Sequence, residues 1–318
     1  MTDTTGTDNA LDRAEQLPAR ERERYVSDII RLHSTLDFRS LPDHVLGDPL
    51  YSVYDPRDEL ITLTVEDDQL PLRYLNGIMG FRLVQYLRLG WMSPQLVYER
   101  AVFRETVRHP QGVQNVHTVS LCTRTGRIRG YISLGCSQDP VSMPLDHPGR
   151  GRFSTEAAHD IDLLGRFAAD GVGTHQAFEI KRFVRDLELP PGPGTERVPW
   201  HLLLGLGRVI SGAGDRMRLM LGDAKEKVAI RHFRLTGFDL QIDRGTTPRL
   251  PETDLMAPIY DQDVIAVPFV APVHADLGDY MDLIEDYLGG GPDAMTLMEL
   301  VAAMTARRTG AYRVKEAS

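Results

Sequence analysis

The chain of 318 residues is 42% apolar and 25% charged, a balance that buries a core and excludes a disordered or fibrous protein. Its net charge of -9 is a poor footprint for a protein that tracks phosphate backbones, so nucleic acid is disfavoured as a partner. Two cysteines, Cys122 and Cys136, make neither a disulfide framework nor a CxxC metal pair.

Residues 1–10 read as a polar tail without the basic and apolar regions of a signal peptide. No apolar run approaches the ~18 residues of a membrane helix, so a cytoplasmic protein with no membrane contact is expected. From 11 to 36, Leu17, Tyr25, Ile29, Ile30 and Leu32 among many charges predict a single-faced accessory helix. Residues 40–58, with Pro42, Gly47, Pro49 and Pro56, read as a loop. A β-prone run at 60–65 opens the core. Helices follow over 70–89 and, from Ser93-Pro94, over 93–108. Strands at 116–123 and 127–136 flank Thr125-Gly126 as a hairpin.

The Pro- and Gly-rich stretch 137–152 reads as an exposed loop, and 154–169 as a helix. Then come a strand at 178–186, a break at 190–194, a helix at 199–211 and a strand at 216–221. A helix at 225–236, a strand at 238–243 and a strand at 264–273 interrupted by Pro268 follow. Helices at 277–288 and 295–305 close the chain. The strand–helix–strand block from 178 implies a parallel crossover, and the 116–136 hairpin an antiparallel pair. The fold class is therefore α/β, a mixed and mostly antiparallel central sheet with helices on both faces and accessory helices at both ends. Residues 1–58 form the tail and accessory helix, 59–275 the sheet domain, and 276–318 a helical extension.

Few residues announce chemistry by spacing. Ten histidines are scattered over separate elements, so no metal site is expected. There is no G-x-S-x-G elbow and no phosphate-binding loop, and Gly205 and Gly207 lie inside a helical pattern. Cys136 reads as a buried, inert thiol.

The ordered segments carry more. In FEIKRFVRD, Glu179 and Arg182-Phe183 match an E-x-x-R-F pattern. It is preceded by GRIRGYISLG, a Pro-rich loop and DLLGRF, and followed by WHLLLGLGRVISGAG and RLMLGDAKEKVAIRHFRLTGF. Over about residues 60–275 this succession resembles the GCN5-related N-acetyltransferase (GNAT) fold, closest in pattern to the autoinducer-synthase and N-acyl amino acid synthase branch.

The resemblance implies an acyltransferase with no permanently bound cofactor. Its co-substrate would be acyl-CoA or another phosphopantetheine thioester, donated as such or on an acyl carrier protein. The acceptor would be a small-molecule amine, of a metabolite or an amino acid. It implies catalytic roles for Glu179, as base or amine anchor, and for Arg182, orienting a carboxylate. Strand alternation puts those two on opposite faces unless a bulge intervenes. Val184, Arg185, Gly192, Gly194 and Thr195 would hold the carrier arm. Arg100, Phe103, Trp200 and His201 would line the substrate site. A basic patch for carrier docking is sought first at Arg150 and Arg152, then at Arg124, Arg127 and Arg129.

Departures from the pattern keep the acceptor open. The R/Q-x-x-G-x-G/A pyrophosphate signature is absent before 199, and PPGPGT offers only two glycines. GYISLGCS lacks the arginine that autoinducer synthases carry after their third strand, and Arg100 and Phe103 in YERAVF are one residue too close for the R-x-x-x-F of that family. An acyl-homoserine lactone product is therefore not expected. An aminoacyl-tRNA-dependent transferase stands as one alternative. A non-catalytic ligand-binding protein whose terminal helices form a homodimer or partner interface stands as another.

Overall fold

The computed structural model describes residues 5–105, 113–190, 192–261, 266–289 and 294–316. Its strands are β1 (Tyr51–Asp55), β2 (Leu60–Glu66), β3 (Val116–Cys122), β4 (Ile128–Gly135), β5 (Ala177–Arg185), β6 (Leu219–Lys225), β7 (Gln241–Ile242) and β8 (Ala266–Pro272). They form one sheet in the order β1-β2-β3-β4-β5-β6-β8-β7. Every neighbouring pair is antiparallel except β5 and β6, which run parallel. The helices are α1 (Thr5–Ser34), α2 (Leu72–Leu89), α3 (Pro94–Glu99), α4 (Ser154–His159), α5 (Pro193–Gly212), α6 (Arg231–Leu235), α7 (Leu277–Gly289) and α8 (Leu297–Glu316).

Side-chain alternation assigns the two faces. Leu63, Val65, Val119, Leu121 and Tyr131 project onto α2. Ile132, Leu134, Phe178 and Ile180 project onto α5 and α7. Every α2 residue from Gly77 to Tyr86 is buried, because α1 and the segment after it cover the helix from outside. His33 and Phe38 press against Gly80 and Gly77 there. On the other face α5 rides directly on the sheet at Gly205. A methyl group there would meet Thr64 Oγ1 at 2.9 Å, so this glycine serves close helix–sheet packing. Beneath it the buried hydroxyls pair across strands, Thr64 with Thr118 at 2.9 Å and Thr62 with Ser120 at 3.0 Å.

Several elements differ from the sequence reading. The expected loop over 40–58 contains β1, whose Tyr51, Val53 and Asp55 alternate inward while its flanking prolines mask the pattern. α1 begins at Thr5, within the expected tail, whose first four residues lie outside the described ones. The helix expected over 93–108 ends at Glu99, and Ala101 at φ 49 turns the chain. Residues 106–108 lie outside the described ones. The helix expected over 154–169 stops when Asp160 enters the left-handed region at φ 50, and a 3-10 segment resumes at Gly165–Asp170. α5 starts six residues early and carries Pro199 inside it. The strand expected at 216–221 is shifted to 219–225, and a π turn, Glu226–Ile230, replaces the start of the helix after it. The strand expected over 238–243 shrinks to the two residues of β7. No helix among the described residues is long and apolar enough to cross a membrane.

Candidate active site

The parallel pair opens. β5 and β6 are joined by three residue pairs, Ala177–Leu219, Phe178–Met220 and Glu179–Leu221, and then diverge. Just past the last pair the strands are still close, for a Cβ at Gly222 would stand 3.0 Å from the Ile180 carbonyl oxygen. Beyond it the path of β5 is broken. Arg182 adopts φ 66, a conformation costly for a residue with a side chain, and the β4–β5 register slips around it. Ser133 faces Lys181 and Tyr131 faces Val184, which leaves Arg182 and Phe183 opposite Ile132 alone. This is a β-bulge, and it bends the strand away from its neighbour.

The bulge corrects the alternation argument. Arg182 turns to the α2 face, beside Glu105 and over the Tyr86 ring, while Phe183 turns to the α5 face against Phe233. Glu179, Lys181 and Arg182 therefore share one face of the sheet.

Glu179 is buried and fully engaged. Its carboxylate accepts from Thr155 N at 2.7 Å, Thr155 Oγ1 at 2.7 Å and Ser154 N at 3.3 Å, and it pairs with Lys181 Nζ at 2.6 Å. It thus anchors the first turn of α4. Arg182 belongs to a different group. Glu105 Oε1 accepts from its Nη2 at 2.8 Å and lies 2.6 Å from Arg82 Nη2. Burial alone would raise the Glu105 carboxyl, but the two guanidiniums outweigh it and hold the group below its usual range. The chain of polar contacts continues inward through Arg82 to Tyr131, His117 and Asp67, with both His117 contacts at 2.6 Å. The Tyr86 hydroxyl is buried there with no hydrogen-bond partner among the described residues, and burial pushes it up to about 12.

Across the opening, β6 contributes Asp223. Tyr260 donates its hydroxyl to Asp223 Oδ2 at 2.5 Å. His159 Nε2 lies 3.5 Å from the same oxygen, and its Nδ1 is 2.8 Å from Thr246 Oγ1. Burial and the Asp223 charge push the Tyr260 phenol well above its ordinary value, so it stays a donor. The Tyr260 ring packs edge-on to His159, with centroids 6.1 Å apart, so both groups converge on Asp223.

The remaining expected site residues are dispersed. Trp200 reaches the opening from the α5 side, its ring 5.5 Å from His232, which stacks edge-on to Phe183 at 6.2 Å. His201 turns away to Asp55 and Asp58, at 3.2 Å from each. Those three ligand atoms lie within 4.8 Å of one another, but Arg197 pairs with both carboxylates at 3.1 Å and supplies the counter-charge itself. Val184 is buried in the α2 core, and Arg185 is exposed at the end of β5. Gly192 and Gly194 open α5, and Thr195 Oγ1 donates to the Pro190 carbonyl at 2.6 Å. Asp58 Oδ1 comes within 3.8 Å of where a Gly194 Cβ would be. Glu196 lies in the same turn, and Arg197 beside it is taken up by Asp55 and Asp58.

Arg100 donates to the Thr253 carbonyl at 2.5 Å on the surface, and Phe103 is 53% exposed. Of the basic candidates, the Arg150 side chain is 7% exposed and bridges Glu156 and Asp162, so it is engaged within the chain, while Gly149, Gly151 and Arg152 of the same loop are exposed as expected. Arg124, Arg127, Arg129 and Arg152 pair with Glu59, Glu188, Asp186 and Asp160.

Sequence reasoning missed Arg82, Glu105, Asp223, Tyr260 and His159. One signal was present. Arg82 and Gln85 interrupt the apolar run GIMGFRLVQYL, and a helix apolar on all sides is buried, where a charge needs a partner.

Strand order, the opened parallel pair, the bulge and the α5 crossover together define a GNAT-like fold. No family model matches the chain, and no curated protein matches it. Among solved structures it is similar to the AHL synthase LasI, at 12% identity and a TM-score of 0.39 over 68% of this chain and 90% of that one. A presumed acetyltransferase is similar at 11% identity and a TM-score of 0.38, over 79% and 100%. Another, from Acinetobacter baylyi ADP1, is similar at 14% identity and a TM-score of 0.30, over 68% and 94%. The assignment of the fold rests on the strand order and the bulge rather than on these superpositions.

Proposed function

We propose that this protein is a cytoplasmic acyltransferase that moves an acyl group from a carrier thioester to an amine of a small metabolite or amino acid. The observation that carries this reading is the opened β5–β6 pair, whose ladder ends at Glu179–Leu221. An extended pantetheine arm can lie along such an edge as an added strand, held by backbone groups near Val184 and Arg185. A backbone N–H aimed at the thioester oxygen stabilises the charge that develops there, an effect worth roughly 2.7–4 kcal/mol per donor.

The two faces of the opening differ in kind. The α5 side is apolar and aromatic, with Phe183, His232 and Trp200, and suits the acyl group and arm. The α2 side carries Arg182, Tyr86, Asp223 and Tyr260 and suits a polar acceptor. The missing R/Q-x-x-G-x-G/A signature before α5 favours a donor that needs no pyrophosphate cradle there, such as an acyl carrier protein.

The test is product mass together with thiol release from acetyl-CoA, octanoyl-CoA and octanoyl acyl carrier protein, or deacylated tRNA from aminoacyl-tRNA, each against pooled amines. Amine-dependent release with one donor is the expected result. No release with any donor would count against catalysis and favour a ligand-binding protein of the same fold.

A further inference from the structure

We propose that Asp223 is the group that takes the proton from the acceptor nitrogen, and that Glu179 is a positioning residue acting through α4 and His159. This rests on the acyl-transfer reading above and goes beyond it by reassigning the base from β5 to β6.

The two carboxylates at the opening are in opposite situations. Glu179 has both oxygens occupied by four donors from Ser154, Thr155 and Lys181, so accepting another proton would break a helix anchor and an ion pair. Asp223 sits one strand over, beyond the last β5–β6 pair and on the same face as Leu221, the partner of Glu179. Only its Oδ2 is engaged, by the Tyr260 hydroxyl and His159, and its side chain is 22% exposed. Oδ1 has no partner among the described residues. A carboxylate held at one oxygen and open at the other is the arrangement a proton acceptor needs.

Glu179 reaches Asp223 indirectly. It fixes the first turn of α4, and His159 is the last residue of that six-residue helix. His159 is fully enclosed and its Nδ1 is fixed by Thr246, while its Nε2 makes no hydrogen bond among the described residues and lies 3.5 Å from Asp223 Oδ2, within ion-pair range. The charged and titratable groups around Asp223 are Tyr260 and His159, then Glu179, Lys181 and Arg182 across the opening, and Lys225 along β6.

In the step, the acceptor nitrogen adds to the thioester carbon and a C–N bond forms. One N–H proton passes to Asp223 Oδ1. Collapse breaks the C–S bond, and the proton goes on to the departing sulfur, so amine and thioester become amide and thiol.

The experiment compares wild type, Asp223→Asn, Tyr260→Phe and Glu179→Gln, using octanoyl-CoA or octanoyl acyl carrier protein with the pooled twenty amino acids. Far-UV circular dichroism checks that each variant is folded. D223N is expected to lower kcat roughly 10²–10⁴-fold, leave the donor KM within about twofold, and remove the acid limb of the rate–pH profile. Y260F, which keeps the carboxylate but frees its anchored oxygen, is expected to lose roughly tenfold in kcat and to shift that limb. E179Q is expected to lower kcat while retaining the limb. If E179Q removes the limb and D223N keeps it, Glu179 is the base and the proposal is overturned. If the wild type turns over neither donor, the acyl-transfer reading falls and the proposal falls with it.

Discussion

Glu105 holds two arginines on a single oxygen, and neutralising it is the sharpest test of the energetics of the site. In Glu105→Gln the side chain keeps its shape and one acceptor but loses its charge. Arg82 and Arg182, with side chains 8% and 26% exposed, would then face each other uncompensated. Removing one partner of a buried ion pair costs roughly 3–5 kcal/mol. The retained amide oxygen and the partial wetting of Arg182 place the loss near the lower end, about 3 kcal/mol, or about two decades in the unfolding equilibrium. Urea unfolding followed by circular dichroism at pH 7.5 would show this as a lower midpoint at unchanged slope. The pH dependence has a definite sign. Because the folded carboxyl is held below its ordinary value, its contribution is present above the unfolded value of about 4.3 and is lost as pH falls through the folded one. The gap between wild type and E105Q should therefore be full at neutral pH and shrink in acid. A loss under about 1 kcal/mol, or a gap constant from neutral pH down into acid, would refute the reasoning.

Gly222→Ala should place a methyl group 3.0 Å from the Ile180 carbonyl and 3.2 Å from the Phe269 ring, costing roughly 1–3 kcal/mol by overpacking. An unchanged urea midpoint would mean the two strands already stand farther apart. Cys136 is pushed up to about 12 by burial and the Asp67 charge. For Cys122, burial is outweighed by hydrogen bonds from Thr125 and Arg129, which hold its thiol below the ordinary value. Iodoacetamide at pH 8 should therefore label Cys122 well ahead of Cys136 in peptide mass maps, and equal labelling would contradict that ranking.

The hairpin at 116–136, the crossover around α5 and the apolar α2 were legible in sequence because each is written in local periodicity and turn residues. The bulge was not. Arg182 gives no sign of a positive φ, since glycine or asparagine is the residue that ordinarily announces one, and only the cross-strand register reveals it. β1 was hidden because its five residues lie between prolines. The chemistry of the opening depends on long-range meetings, Glu105 with Arg182 and Tyr260 with Asp223. No spacing rule connects residues 37 or 77 apart in sequence. The motif led to Glu179 and Arg182, but the partners that decide what each can do lie on other elements.

The eight strands amount to two leaves, β1 to β5 and β6 to β8, stitched at one end by three residue pairs. A change in the angle between the leaves breaks no ladder hydrogen bond beyond that seam. Its cost falls on side-chain contacts made from one leaf or the other, such as Phe183 of β5 against Phe233 and Asp223 of β6 with Tyr260. The width of the mouth is thus a matter of side-chain packing rather than of further ladder hydrogen bonds, and in the proposed reaction a change at Phe183 would alter which acyl groups fit.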